Sequence, residues 1–133
     1  MLGRRKVLIV EDEPSIRNIL YVLLAGLGCE GDIAYNSREA LAMIRHENFD
    51  AVLLDLRCSE LTPHEVVDQI KELRPNLVDR VLVITGEVTD PATLEMIERE
   101  CLPHVARNHV MVELWDRLRT LLGIARSTAN SAP

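Results

Sequence analysis

Two patterns of apolar residues alternate along the chain. Continuous apolar runs suit parallel strands that are covered on both faces, whereas apolar residues recurring every three or four positions suit helices. Three strong runs and two weaker ones predict five strands, at residues 6–10, 32–34, 51–55, 81–84 and 104–106. The helical pattern fills the segments between them and predicts five helices, which begin near residues 14, 37, 63, 91 and 111.

This alternation of strand and helix, five times over, predicts an α/β fold. A parallel sheet covered by helices on both faces, with right-handed crossovers, is the usual result of such a pattern. We therefore expect a flavodoxin-like (βα)5 three-layer sandwich with strand order 2-1-3-4-5. We expect residues 1–125 to form one domain and residues 126–133 to be a disordered tail or linker, since residues 127–133 are only small and polar.

Local signals predict where some helices begin and which residues they bury. Ser37 is a candidate N-cap of the second helix, and the pattern of the fourth places Leu94, Ile97 and Cys101 on one side. The last helix is expected to continue to about Ala125.

Composition excludes several classes of protein. A net charge of -6 argues against a nucleic-acid-binding surface, which needs a basic face, and suits a protein that holds a cation. The first apolar run is too short for a signal peptide or a membrane span. Cys29, Cys58 and Cys101 form no C-x-x-C pair, so reduced thiols of a cytoplasmic protein are expected, with neither a disulfide framework nor a zinc site.

Polar residues follow the predicted strands. Glu11 and Asp12 follow the first, Asp55 ends the third and Thr85 follows the fourth, while Arg107 follows the fifth. In the expected strand order the first and third strands are neighbours, so three carboxylates converge in one cleft. Such carboxylates repel one another unless they are protonated or bridged by a cation, and oxygen ligands suit Mg²⁺.

A hydroxyl and a guanidinium beside that metal add the means to hold an anion. Together these groups describe a site that accepts a phosphoryl group. Each residue alone also has a plain structural explanation: Asp55 as the start of a turn, Thr85 as a strand-end hydroxyl with a satisfied hydrogen bond.

Three motifs resemble those of the receiver domain of bacterial response regulators, over about residues 5–124. They are residues 10–14 (VEDEP), 53–56 (LLDL) and 84–86 (ITG), in the order and at the intervals of that family. The resemblance implies that Asp55 attacks phosphorus and becomes an acyl phosphate. It also implies a Mg²⁺ (or Mn²⁺) site formed by Asp12, Asp55 and the backbone carbonyl of Arg57, with Glu11 acting through water.

The resemblance further implies a switch. Thr85 would donate a hydrogen bond to the phosphoryl group, and its movement is coupled in the family to a residue of the fifth strand, here His104. Arg107 stands where the family has Lys; it reaches the phosphoryl group differently, pairs with Asp55 at rest or points to solvent. Asn108 stands where the family has Pro, usually with a cis bond, which costs a non-proline residue about 3 kcal/mol.

The function implied is that of a phospho-accepting receiver in a two-component phosphorelay, not an enzyme. Its donor would be a histidine kinase or a histidine phosphotransfer protein, and its output would pass by contact to a downstream protein. Met111, Trp115 and Leu122 suggest an apolar edge of the last helix and hence a homodimer.

Alternative functions stay open. A degenerate receiver would bind partners regardless of phosphorylation. A haloacid-dehalogenase-like Mg²⁺-dependent phosphatase requires a second Asp where this chain has Arg57, and a flavodoxin requires a phosphate loop that does not follow the first strand.

Overall fold

The computed structural model describes residues 5–55, 61–86 and 91–123. The strands are β1 (Lys6–Val10), β2 (Glu30–Ala34), β3 (Ala51–Asp55), β4 (Val81–Thr85) and β5 (His104–Ala106). The helices are α1 (Pro14–Gly26), α2 (Ser37–His46), α3 (Pro63–Leu73), α4 (Pro91–Arg99) and α5 (Val110–Leu122). Short 3-10 helices cover Pro75–Arg80 and Arg107–His109.

The five strands form one parallel sheet in the order β2-β1-β3-β4-β5. This order confirms the predicted flavodoxin-like fold. β1 and β3 are neighbours although α1, β2 and α2 separate them in sequence, so the sheet has its switch point between them.

Each face of the sheet packs against its own set of helices. Alternate residues of β3 point to opposite faces: Val52 and Leu54 join the core under α2, α3 and α4, and Leu53 joins the core under α1 and α5. Burial of each such side chain contributes about 2 kcal/mol. The central strands β3 and β4 are buried along their whole length, which is why they read as uninterrupted apolar runs.

The second helix is capped one residue earlier than expected. Asn36 has extended backbone, and its side chain accepts a hydrogen bond from the Glu39 N–H at 2.8 Å. Ser37 is the first helical residue and is buried, so its assignment as the N-cap was wrong. Both residue types cap helices well, so composition alone does not distinguish the two positions.

The buried stripe of α4 also differs from the prediction. Ile97 is buried as expected, together with Thr93 and Met96, but Leu94 is 46% exposed. Cys101 lies beyond the end of the helix, is exposed and has a φ of 53°. Because the helix ends at Arg99 and the backbone is left-handed at Cys101, Cys101 does not follow the helical period from which its position was predicted.

The last helix ends at Leu122, earlier than predicted. Gly123 has a φ of 67°, and its N–H donates to the carbonyls of Arg119 and Thr120. Glycine adopts this left-handed C-cap without steric cost, so it stops the helix although apolar residues follow. The predicted tail, residues 126–133, lies outside the described residues.

Cys29 and Cys101 are free, and burial raises the pKa of the Cys29 thiol; Cys58 lies outside the described residues.

Within the described ranges, no helix has the length and apolar character that crossing a membrane requires.

Candidate functional site

The strand ends deliver their polar residues to one edge of the sheet. Val10 of β1 lies opposite Leu54 of β3, so Glu11 and Asp55, which follow them, emerge side by side. Thr85 ends the adjacent strand β4 and lies opposite Ala106, the residue that precedes Arg107. Four of the predicted site residues, Glu11, Asp55, Thr85 and Arg107, thus leave neighbouring strands at the same edge.

Two carboxylates at this edge are buried. Glu11 is 0% exposed and Asp55 is 1% exposed, whereas Asp12 is exposed. The backbone of Glu11 extends the sheet, its N–H donating to the Ala34 carbonyl at 3.2 Å. A buried carboxylate that keeps its charge needs a positive or hydrogen-bonding partner, because removing it from water is costly.

Arg107 is that partner. Its Nη2 contacts Asp55 Oδ2 and lies 3.5 Å from Glu11 Oε2, and its Nη1 donates to Glu13 Oε2 at 3.2 Å. The side chain is 15% exposed. Of the three orientations left open by the sequence, the structure shows the pairing with Asp55.

The 3-10 helix after β5 sets the position of Arg107. The peptide bond between Arg107 and Asn108 is trans, as are all described peptide bonds. The turn Arg107–His109 follows β5 directly, so the arginine leaves the sheet beside β4 and turns towards the acids. Its Nε is buried without a hydrogen-bond acceptor among the residues described, which leaves the terminal nitrogens to make the polar contacts.

The carboxylate oxygens at this edge suit a divalent cation, but in the structure carboxylates there are paired with Arg107. Glu11, Asp12 and Asp55 offer the carboxylate oxygens that Mg²⁺ prefers. Over residues 5–55, 61–86 and 91–123, however, no three acidic, His or Cys side chains are grouped as a metal site. The backbone carbonyl of Arg57 lies outside those ranges. By donor chemistry the residues fit Mg²⁺, and Arg107 lies among them.

Thr85 and His104 occupy different environments. Thr85 is buried at the end of β4, next to the position at which Ile84 lies opposite Asp55. His104 is exposed at the start of β5, where it pairs with Val83. The structure therefore places Thr85 at the acidic edge. His104 lies on the outer strand β5, two positions further from that edge.

The apolar edge expected on α5 does not include Leu122. That side chain is buried in the core under α1 and α5, because it follows Leu114 and Leu118 on the same face of the helix. Trp115 is partly exposed and its ring lies near Gly26 of α1, and Val112 is 79% exposed. The side chain of Met111 lies outside the description.

Glu13 is a site residue that was not predicted from the sequence. Its N–H donates to Glu11 Oε1 at 3.2 Å, and its carboxylate holds Arg107. The signal was present in the run of three acids before Pro14. Sequence alone does not show that an arginine 94 residues away would reach the third of them.

Comparison with protein families gives one match over most of the chain. The family model described as "Response regulator receiver domain" matches residues 7–119. The chain is 37% identical, over 108 residues, to "Response regulator receiver protein Anae109_2439" of Anaeromyxobacter sp.; this match covers 81% of the chain and 44% of that relative. It is 29% identical to "Transcriptional regulatory protein ZraR" of Salmonella typhimurium, a match covering 98% of the chain and 29% of that protein. The chain thus spans less than half of these relatives.

Solved structures show the same architecture. A putative response regulator from Chloroflexus aurantiacus superposes with a TM-score of 0.78 at 21% identity, covering 91% of this chain and 99% of that one. The response regulator protein TrrA from Thermotoga maritima, solved in complex with Mg(2+)-BeF, superposes with a TM-score of 0.75 at 26% identity. That superposition covers 89% of this chain and 99% of TrrA.

Proposed function

This chain belongs to the response regulator receiver domain family, and we propose that within it Asp55 accepts a phosphoryl group in a two-component phosphorelay. One observation carries the proposal. Asp55 is 1% exposed at the carboxyl end of a buried strand, yet it lies beside Glu11 and in contact with a guanidinium. A buried acid kept charged by a cation is a nucleophile protected from bulk water.

The proposed reaction is a displacement at phosphorus. A carboxylate oxygen of Asp55 forms a bond to the phosphorus of a phosphohistidine, the P–N bond breaks, and its electron pair returns to the imidazole, which takes up a proton. Glu11, Asp12, Asp55 and the carbonyl of Arg57 would hold Mg²⁺ (or Mn²⁺), which when bound neutralises charge on the phosphoryl oxygens. The TrrA protein of Thermotoga maritima, to which this chain is similar, was solved in complex with Mg(2+)-BeF, which supports this assignment.

Thr85 and Arg107 are the proposed contacts of the phosphoryl group. Thr85 lies at the same sheet edge as Asp55 and offers a hydroxyl donor. Arg107 already contacts Asp55, and its second terminal nitrogen offers a further donor once a phosphoryl group is present. His104 is the proposed β5 residue through which movement of Thr85 is relayed.

Output is proposed to pass by protein contact, over the surface formed by α4, β5 and α5. Leu94 of α4 and Val112 of α5 are exposed apolar residues of two of these elements, whereas the Trp115 ring lies near Gly26 of α1. The donor is a histidine kinase or a histidine phosphotransfer protein, the target is a downstream protein or a second copy of the chain, and the compartment is the cytoplasm. Turnover of a substrate as an enzyme is not part of the proposal.

A phosphorylation-independent receiver is the second candidate, because one observation favours it. The Arg107 guanidinium contacts Asp55 directly, so the acceptor oxygen is already engaged. If that contact is permanent, the domain keeps its fold and its binding surfaces but takes no phosphoryl group.

Labelling with a small phosphodonor separates these two functions. The chain is incubated with acetyl phosphate, with Mg²⁺ or with EDTA, and its intact mass is measured. We expect wild type to gain one phosphoryl group only with Mg²⁺, and Asp55→Ala to gain none. Arg107→Lys serves as the comparison that restores the residue usual in the family.

Absence of the mass gain in wild type and its appearance in Arg107→Lys would favour the phosphorylation-independent function. Equal labelling of wild type and Asp55→Ala would show that another residue is the acceptor.

A further inference from the structure

Arg107 supplies to the acidic edge the positive charge that a divalent cation would also supply. Its Nη2 is shared between Asp55 and Glu11, the two buried carboxylates, and its Nη1 reaches Glu13. One guanidinium thus faces three carboxylates. A lysine ammonium is a compact point charge without this fork, so the arginine can engage acids on two sides at once.

Glu13 is placed to hold the arginine in that position. It precedes α1 as its N-cap residue, but its side chain makes no capping hydrogen bond. Instead Oε2 accepts from Arg107 Nη1 at 3.2 Å, and Oε1 accepts from the Ser15 hydroxyl at 3.2 Å. Its backbone N–H donates to Glu11, which ties it to the buried acids. With 48% of its side chain exposed, Glu13 forms the solvent side of the arrangement.

The arginine and a divalent cation would compete for the same oxygens. A guanidinium in contact with Asp55 and a dication bound to that carboxylate would place like charges within a few ångströms of each other. Such repulsion is strong where water is scarce, as it is around Glu11 and Asp55. Binding of a cation there therefore requires Arg107 Nη2 to leave Asp55.

We propose that Arg107, positioned by Glu13, is an internal counter-ion that competes with divalent metal for Glu11 and Asp55 and so weakens metal binding. The inference rests on the proposed function for the metal site. Glu13 acts in it as a positioning residue, through Arg107.

The test measures binding of Mg²⁺ to the full chain by calorimetry, and of Mn²⁺ by electron paramagnetic resonance, without any phosphodonor. We expect Arg107→Ala to bind both ions at least about tenfold more tightly than wild type, and Glu13→Gln to bind them a few-fold more tightly. Arg117→Ala is the matched control, since it removes an arginine of α5 that pairs with Glu113 on the surface. We expect its metal affinity to equal that of wild type.

Whether Glu13→Gln strengthens or weakens metal binding distinguishes a role of Glu13 in positioning Arg107 from a direct effect of its negative charge. Loss of a nearby negative charge weakens cation binding, whereas loss of the residue that holds Arg107 strengthens it. We expect Glu13→Gln to tighten binding in wild type and to leave it equal or weaker in the Arg107→Ala background. Weakening in both backgrounds would overturn the role of Glu13.

The outcome also separates this inference from the proposed function. If Arg107→Ala binds metal no more tightly than wild type, competition is refuted, even where Asp55 is phosphorylated. If Arg107→Ala binds it more tightly and wild type takes no phosphoryl group, the inference stands and the proposed function fails. Circular dichroism checks that the variants fold, and Arg107→Gln replaces Arg107→Ala if the latter does not.

Discussion

For Arg107, the position on the sheet can be predicted from the sequence, but the direction of the side chain cannot. Its place at the edge of the sheet follows from the sequence, because the end of the fifth apolar run fixes where the side chain leaves the strand. Its direction does not follow, because that depends on the turn Arg107–His109 and on the carboxylates it meets. The same holds for Glu13, whose partner lies 94 residues away.

At this scale we predict that Arg107 stabilises the metal-free protein. Arg107→Ala leaves the buried Asp55 carboxylate without its guanidinium partner, and removal of one member of a buried pair costs about 3 kcal/mol. Urea unfolding in EDTA measures this loss.

The Asp55→Asn background provides the control. There the same Arg107→Ala change should cost distinctly less, because the charge that needs the arginine is absent. An identical loss in both backgrounds would show that Arg107 stabilises the fold through packing and not through Asp55.

At the scale of elements, polar contacts join helices that share one face of the sheet. Lys71 of α3 contacts Glu100, the residue after α4, and His64 of α3 lies 3.2 Å from Arg99. The amphipathic periods predicted that α3 and α4 pack on the sheet. They did not predict these contacts, because the positions of exposed charged residues do not affect the spacing of the apolar ones. Helix ends were harder to predict for a similar reason: Asn36 caps α2 through its side chain and Gly123 ends α5 through left-handed backbone, and neither changes the apolar period.

The contact between Lys71 and Glu100 predicts a pH dependence. The hydrogen bond from Lys71 lowers the pKa of the Glu100 carboxyl, because it favours the charged form. A lowered pKa gives stabilisation that is complete above the pKa of the unfolded chain and is lost as pH falls through the folded value. Glu100→Gln should therefore destabilise the protein at neutral pH by at most about 1 kcal/mol, since Lys71 is partly exposed.

Thermal unfolding between neutral and acidic pH checks the sign. The difference between wild type and Glu100→Gln should shrink as the carboxyl is protonated. Glu98→Gln, an exposed change in α4 two residues earlier in the chain, controls for the general effect of losing a negative charge. A difference that stays constant down to the acid limit would contradict the account.

At the scale of the whole molecule, the sheet unites distant parts of the sequence at one edge. The five strand–helix units and their order could be predicted, because buried parallel strands read as continuous apolar runs and the crossovers have one hand. The 3-10 helix Pro75–Arg80 could not, since its two buried residues, Leu77 and Val78, are too few to establish a period. The proposed output surface lies beside the acidic edge, since Arg107 directly follows β5. The chain spans 29% of the ZraR protein that it matches.

Conversion of Asp55 to an acyl phosphate is tested by identifying the residue that is modified. The chain is treated with acetyl phosphate and Mg²⁺ and then with borohydride, which reduces an acyl phosphate of aspartate to homoserine. Peptide mass spectrometry then locates the product. We predict homoserine at position 55 only, and none when Mg²⁺ is replaced by EDTA. Homoserine at position 12 or elsewhere, or none at all in a protein shown to bind Mg²⁺, would contradict the account.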